Sequence, residues 1–212
     1  MPHRDADSGC NALNPTARAA GYSLIELIFA LAVVALLTAV SVPYLMNFSR
    51  KYKTEDQAIK VIDLMAEAGQ YALTRRRPVR FEIDCTNMAR PVVRMIDENG
   101  AGTTDDRVMK TIPLDPLSEV RMDVAPAGVT PPNPPNYPSA VFSSNVWAVA
   151  FMRDGTVRNA TGTPVSATLY FWRPLNEASS AFNVSNLTPP RPLETRAVTI
   201  FGGSGAVRYW KY

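Results

Sequence analysis

The sequence predicts an α+β protein: one long N-terminal helix, transmembrane in its first half and amphipathic in its second, packed on an antiparallel β-sheet domain. Three features carry that reading. The 18 prolines are unevenly spread, with none between Pro15 and Pro43 and none between Pro43 and Pro78. From Leu27 to Val42 there is no charged residue, and Thr38 and Ser41 are the only polar interruptions. After Pro78 the chain breaks into short alternating runs separated by turn residues. At 212 residues, 46% hydrophobic and 19% charged, it has material for one domain plus an added element.

Taken in order, residues 1–21 are polar and contain no apolar core. Residues 22–46 then form a stretch of roughly 20–25 mostly apolar residues, long enough as a helix to cross about 30 Å of hydrocarbon. Pro43 removes a backbone donor and clashes with the preceding turn, so a helix kink is expected there. Residues 47–77 read as helix again. Ile59, Ile62, Met65, Ala66, Ala72 and Leu73 recur at three- and four-residue steps and mark the face expected to pack on the core. The helix should end near Arg77, because a residue before proline avoids helical geometry.

Residues 78–212 read as strands. "PVRFEIDC" alternates cleanly, "PVVRMI" follows, and "ENGAG" signals a turn. "DRVMKTI" and "SEVRMDV" are the next expected strands, the latter with Val120, Met122 and Val124 in phase. Residues 125–140 are too rich in proline for a regular element and read as an extended loop. "VWAVAFM", a turn at "RDGT", and "PVSATLYFW" resume the sheet. A polar insertion at about 174–192 precedes a last hairpin, "ETRAVTIFG" and "AVRYWKY", joined through "GGSG".

An acid so near the start of an uncharged run calls for explanation. Glu26 would cost roughly 2.5–3.5 kcal/mol unpaired in a bilayer. It could lie at headgroup level and snorkel, or it could have a partner. A secretory signal peptide places its apolar core before the cleavage site, and here the order is reversed. The stretch "GYSLIE" followed by an apolar helix resembles the signal of type IV pilins and type II secretion pseudopilins. The resemblance implies that a prepilin peptidase cuts between Gly21 and Tyr22, that Tyr22 is then N-methylated, and that residues 1–21 are lost as a leader. Tyr22 stands where phenylalanine or methionine is more usual. Glu26 becomes the fifth mature residue, and the implied filament-assembly charge pair joins its carboxylate to the Tyr22 amine of a neighbouring subunit. Pro43 also stands where many members have a helix-loosening proline.

Within that superfamily "AEAGQYALTRRRPVRFEI", "VAFMRDGTV" and "RAVTIFGGSGAVRYW" are similar to the GspH/FimT group of minor pseudopilins. The implied protein is a structural subunit that initiates or joins a type IV pilus or type II secretion pseudopilus, serving secretion, adhesion or motility, with no catalytic residue, metal or cofactor. It would be a single-pass protein of the bacterial inner membrane with its sheet domain in the periplasm. Its partners would be the prepilin peptidase, membrane lipid before assembly, and other pilins or pseudopilins in a helical filament.

Other chemistries find little in the sequence. Cys10 and His3 lie in the leader, so the mature chain would keep Cys85 alone and no histidine, which excludes histidine-ligated metal sites and histidine triads. Cys85 is in phase with Val79, Phe81 and Ile83 and reads as a buried structural thiol. "GGSG" at 202–205 lies between strands rather than opening a helix, so it reads as a turn, not a phosphate cradle. Asp97, Glu98, Asp105 and Asp106 lack calcium-loop spacing and read as a solvated turn. Sequons occur at Asn159, Asn183 and Asn186.

The net charge of +3 is too small to argue for nucleic acid, and it stays +3 without residues 1–21, which hold two charges of each sign. Local basic groups nevertheless offer a DNA-binding alternative, as in FimT-like minor pilins of natural transformation. Arg75, Arg76, Arg77 and Arg80 cluster at the helix end, and Arg208 and Lys211 alternate with Tyr209, Trp210 and Tyr212. The plainer reading is a helix end complemented by cations and an edge strand guarded by charge. A periplasmic enzyme on an uncleaved anchor is the remaining alternative.

Overall fold

The computed structural model describes residues 22–98, 106–126, 128–129, 142–173 and 194–212, with backbone alone at 43, 46–47 and 49–51. The leader, most of the loop at 125–140 and the insertion at 174–192 therefore lie outside the described residues. The chain is α+β. Helix α1 runs Leu24–Arg75, and among the described residues eight strands follow: β1 Val79–Asp84, β2 Val92–Asp97, β3 Arg107–Pro113, β4 Val146–Phe151, β5 Val157–Arg158, β6 Ala167–Phe171, β7 Arg196–Ile200 and β8 Val207–Lys211. Two compact units divide the chain, one ending at Leu45 and the other spanning Met46–Tyr212. The second half of α1 thus belongs to the same unit as the strands.

The strands form two antiparallel sheets rather than one. The larger has the order β3-β2-β1-β4-β5, and the smaller is β6-β7-β8. In the larger sheet Phe81 pairs with Met95 on one side and Val149 on the other, and Ile83 likewise pairs with Val93 and Trp147. Period-two alternation turns these residues to the core, where Phe81 and Trp147 meet edge to face with centroids 6.1 Å apart. Leu169, Phe171, Val198 and Ile200 of the smaller sheet join the same cluster, as do Ala58, Val61, Leu64, Met65, Ala68 and Ala72 of α1.

The buried face of α1 differs from the one expected. Met65 and Ala72 are buried and Ile62 is partly so, but Ile59, Ala66 and Leu73 are exposed. The helix has apolar residues on two sides, and three- and four-residue steps link members of both. The helix also ends two residues earlier than expected. Arg76 takes a left-handed conformation, φ 55°, and so ends the helix where glycine or asparagine is usual.

"SEVRMDV" is not a strand. Among the described residues its only ladder contact is a bridge in which the Arg121 and Trp172 amides donate to each other's carbonyls, at 2.7 and 3.1 Å. Alternation misleads here because both phases are buried. Val120 and Met122 enter the core, and the side chains of Arg121 and Asp123, in the other phase, are also wholly buried, as an ion pair at 2.6 Å. The Arg121 guanidinium also donates to the Leu117 carbonyl, and the Trp172 indole donates to the Val124 carbonyl at 2.7 Å.

Backbone contacts stitch the two sheets together at the "GGSG" turn. The Val157 amide donates to the Gly202 carbonyl at 2.8 Å, and the Gly202 amide donates to the Ser166 hydroxyl at 2.8 Å. A side chain at Gly202 would meet the Val165 carbonyl oxygen at 2.3 Å and its nitrogen at 2.9 Å, both fixed backbone atoms. Gly202→Ala should therefore cost about 3 kcal/mol, the upper range for overpacking. Thermal unfolding of the detergent-purified chain would register this as a drop of about 6–12 °C; an unchanged melting temperature would refute the close approach.

Candidate functional site

The site on which the sequence reading rests is the start of α1. Ser23 is the last residue before the helix, and its carbonyl accepts from the amides of Glu26 at 3.0 Å and Leu27 at 3.1 Å. Glu26 is therefore the third helical residue, where a carboxylate complements the unpaired amides and positive end of the helix. Ser23 and Glu26 have the S-x-x-E spacing of a capping box. That spacing is legible in the sequence. It gives Glu26 a local role at the start of the helix. Tyr22 and Glu26 are both exposed, and Gly21 lies outside the described residues.

From Leu24 to Val42 the helix is 19 residues long, long and apolar enough to cross a membrane, and none of it is buried by the rest of the chain. At about 1.5 Å per residue that spans about 28 Å, close to the thickness of a hydrocarbon core. Its two hydroxyl side chains are satisfied internally. The Thr38 hydroxyl lies 3.0 and 2.9 Å from the Val34 and Ala35 carbonyls, and that of Ser41 donates to Leu37 at 2.8 Å. Neither hydroxyl presents an unsatisfied donor to lipid. The backbone stays helical across Pro43, and the division between the two units falls just after it.

The basic groups do not converge. Strand alternation puts Arg208 and Trp210 on one face of β8 and Tyr209 and Lys211 on the other. The Arg208 guanidinium sits 5.6 Å over the Phe201 ring, and the Trp210 indole donates to the Thr199 hydroxyl at 3.1 Å. Across the strand, Lys211 lies 3.8 Å from Glu55, which also holds the buried Arg196 at 3.3 Å. Burial raises the Tyr209 hydroxyl above its ordinary value, and a hydrogen bond to Arg196 offsets part of this. At the helix end Arg75 stacks on Tyr71, while Arg80 is drawn into the sheet by Glu82, Glu98 and Asp106. These cations brace the fold.

Among the described residues no group of three or more His, Cys, Asp or Glu side chains could hold a metal. Glu98 and Asp106, candidates for a solvated turn, face Arg80 instead; Asp105 lies outside the described residues. The Asn159 side-chain oxygen Oδ1 accepts from the Thr161 amide and hydroxyl and from the Thr163 amide, which closes a turn. Asn183 and Asn186 lie outside the described residues.

Cys85 is fully buried. Burial pushes its thiol from 9.0 to about 12, with Asp123 and Asp84 adding to the rise and Arg121 opposing it. The native state thus favours the neutral thiol, a contribution fully present below pH 9.0 and lost as pH rises towards about 12. A soluble maleimide at about pH 8 should leave Cys85 unlabelled in the folded chain and label it in denaturant; rapid labelling of the native protein would contradict this.

No family model, curated protein or solved structure matches the chain.

Proposed function

We propose that the chain is a minor pilin or pseudopilin of the GspH/FimT type, a structural subunit that initiates or joins a type IV pilus or type II secretion pseudopilus. The observation that carries this reading is the solvent-exposed, uncharged helix after Leu27, with Glu26 in its first turn and the Gly21–Tyr22 junction just ahead of it. So large an apolar surface is tolerated only against lipid or other helices. The pilin-like arrangement, one helix shared between an apolar segment and a sheet domain, fits a subunit that leaves the bacterial inner membrane for a filament. The sheet domain then faces the periplasm.

The physical sequence is short. The prepilin peptidase hydrolyses the Gly21–Tyr22 bond, the freed amine of Tyr22 is methylated and stays cationic, and the apolar helix holds the chain in the membrane. An unpaired cation and an unpaired carboxylate are each penalised there, whereas opposite charges sharing a low-dielectric site attract strongly. Glu26 of one subunit then draws in the Tyr22 amine of the next and sets the step between them.

Two measurements test the proposal. Mass spectrometry of the membrane-fraction protein should give a chain beginning at methylated Tyr22; a chain retaining residues 1–21 would favour a tethered protein instead. Glu26→Gln separates the two roles of the carboxylate. Glutamine can serve in a capping box but carries no charge. Processing should stay normal and incorporation into filaments should be lost; native incorporation would leave Glu26 with the capping role alone.

A further inference from the structure

Just beyond its apolar segment, α1 gathers aromatic rings and cations at one height. Phe48, Arg50, Lys51, Tyr52 and Lys53 fall within the six positions "FSRKYK". The Phe48 and Tyr52 rings meet at a centroid distance of 5.0 Å, tilted by 53°, and both are exposed. At about 100° per residue the two aromatic positions share one side of the helix, and the three cationic positions are spread over roughly 160° of the rest. The five residues therefore form a collar around α1 rather than a stripe along it. The apolar stretch ends at about residue 46, so the collar lies about 3–10 Å further along the helix. A headgroup layer roughly 5–8 Å deep flanks each side of a hydrocarbon core.

The carboxylates nearby are matched by other cations. Glu119 pairs with Lys53, and Asp56 pairs with Lys60 at 2.5 Å. Glu55 is held by Arg196 at 3.3 Å and Lys211 at 3.8 Å. Arg50 and Lys51 thus leave this end of the unit net positive.

From this collar we infer that residues 48–53 bind the phosphate headgroups of anionic phospholipids. The inference rests on the reading of α1 as the membrane helix of the proposed subunit, and it names the class of lipid that helix takes. Four observations choose the occupant. The collar directly follows a segment long and apolar enough to cross a membrane. A lipid surface crosses a helix at one height and touches it all round, whereas a partner helix or sheet touches one side. The surplus charge is positive, and a phosphodiester attracts Lys and Arg. Tyr52, an apolar ring with a polar tip, suits the boundary between acyl chains and headgroups, and Phe48, nearer the apolar segment, suits its inner side. Each Lys or Arg beside an anionic surface strengthens the attraction about fivefold. The effect fades within about 10 Å, so only cations at this height count.

The lipid retained by the full chain tests this. The chain is reconstituted in vesicles of equal parts phosphatidylcholine and phosphatidylglycerol, re-extracted in a mild non-ionic detergent, and the headgroups that stay bound are measured. Phosphatidylglycerol should exceed phosphatidylcholine by about fivefold or more. The triple variant Arg50→Gln, Lys51→Gln, Lys53→Gln should bring the ratio near one, and Arg50→Lys, Lys51→Arg, Lys53→Arg should keep it. Lys60→Gln, about 10 Å further along the helix than Lys53, should change nothing. Equal retention of both lipids by the unaltered chain, or an undiminished preference in the glutamine variant, would overturn the site and leave the membrane-anchored subunit standing. Loss of the preference in Lys60→Gln, or in the charge-keeping variant, would overturn the assignment to a collar of cations. A chain that does not float with the vesicles would overturn the membrane reading as well.

Discussion

The globular unit depends on one close approach, that of α1 to both sheets at once. The helix can lie near them because much of its buried face is small: Ala58, Ala68 and Ala72 alternate with Val61, Leu64 and Met65. At Gly69 even a methyl group would come within 3.3 Å of the Phe151 ring. Neither sheet could dry its inner face alone, since three strands or five without a cover leave one row of large side chains in water. Polar tethers fix where the helix sits. Gln57 accepts from the Asp115 amide at 2.8 Å, and Glu55 reaches the buried Arg196 of β7 at 3.3 Å.

What joins the two sheets is mainly backbone. The Val157–Gly202 hydrogen bond, the bridge between Arg121 and Trp172, and the approach of Gly205 to the Gly155 carbonyl all place main chain against main chain. Gly205 has a φ of 63° and would bring a side chain within 2.5 Å of that oxygen, so glycine is required there twice over. The buried Arg121–Asp123 pair holds the segment before the proline-rich loop against this seam. Such a pair adds little net stability but is costly to break, and it favours one arrangement of the segment over others. The outcome is a firmly braced unit.

Much of the candidate site could be read directly. The uncharged run, Glu26 near its start and the preceding Gly21 are contiguous, and local chemistry suffices to recognise them. The capping-box spacing of Ser23 and Glu26 is equally local. The face of α1 was harder. Ile59, Ala66 and Leu73 satisfy helical periodicity as well as Val61, Leu64 and Ala68 do. Periodicity finds apolar sets without saying which one has a sheet beneath it. For the cationic C-terminus the plainer reading, an edge strand guarded by charge, was local, but its partners were not: Glu55 lies on α1, Thr199 on β7 and Phe201 just after β7.

By itself, then, the sequence determined what depends on neighbours along the chain: a membrane-length apolar helix with an acidic first turn, the places where proline and glycine break regular structure, and most strands with their inward residues. Only the tertiary structure decided which face of α1 is buried, that the strands part into two sheets, and that residues 118–124 cross the core without joining a ladder. It also decided that the C-terminal cations brace the domain. The reason is physical: hydrogen-bond periodicity and turn chemistry act over a few residues, whereas burial depends on which distant surface arrives to exclude water.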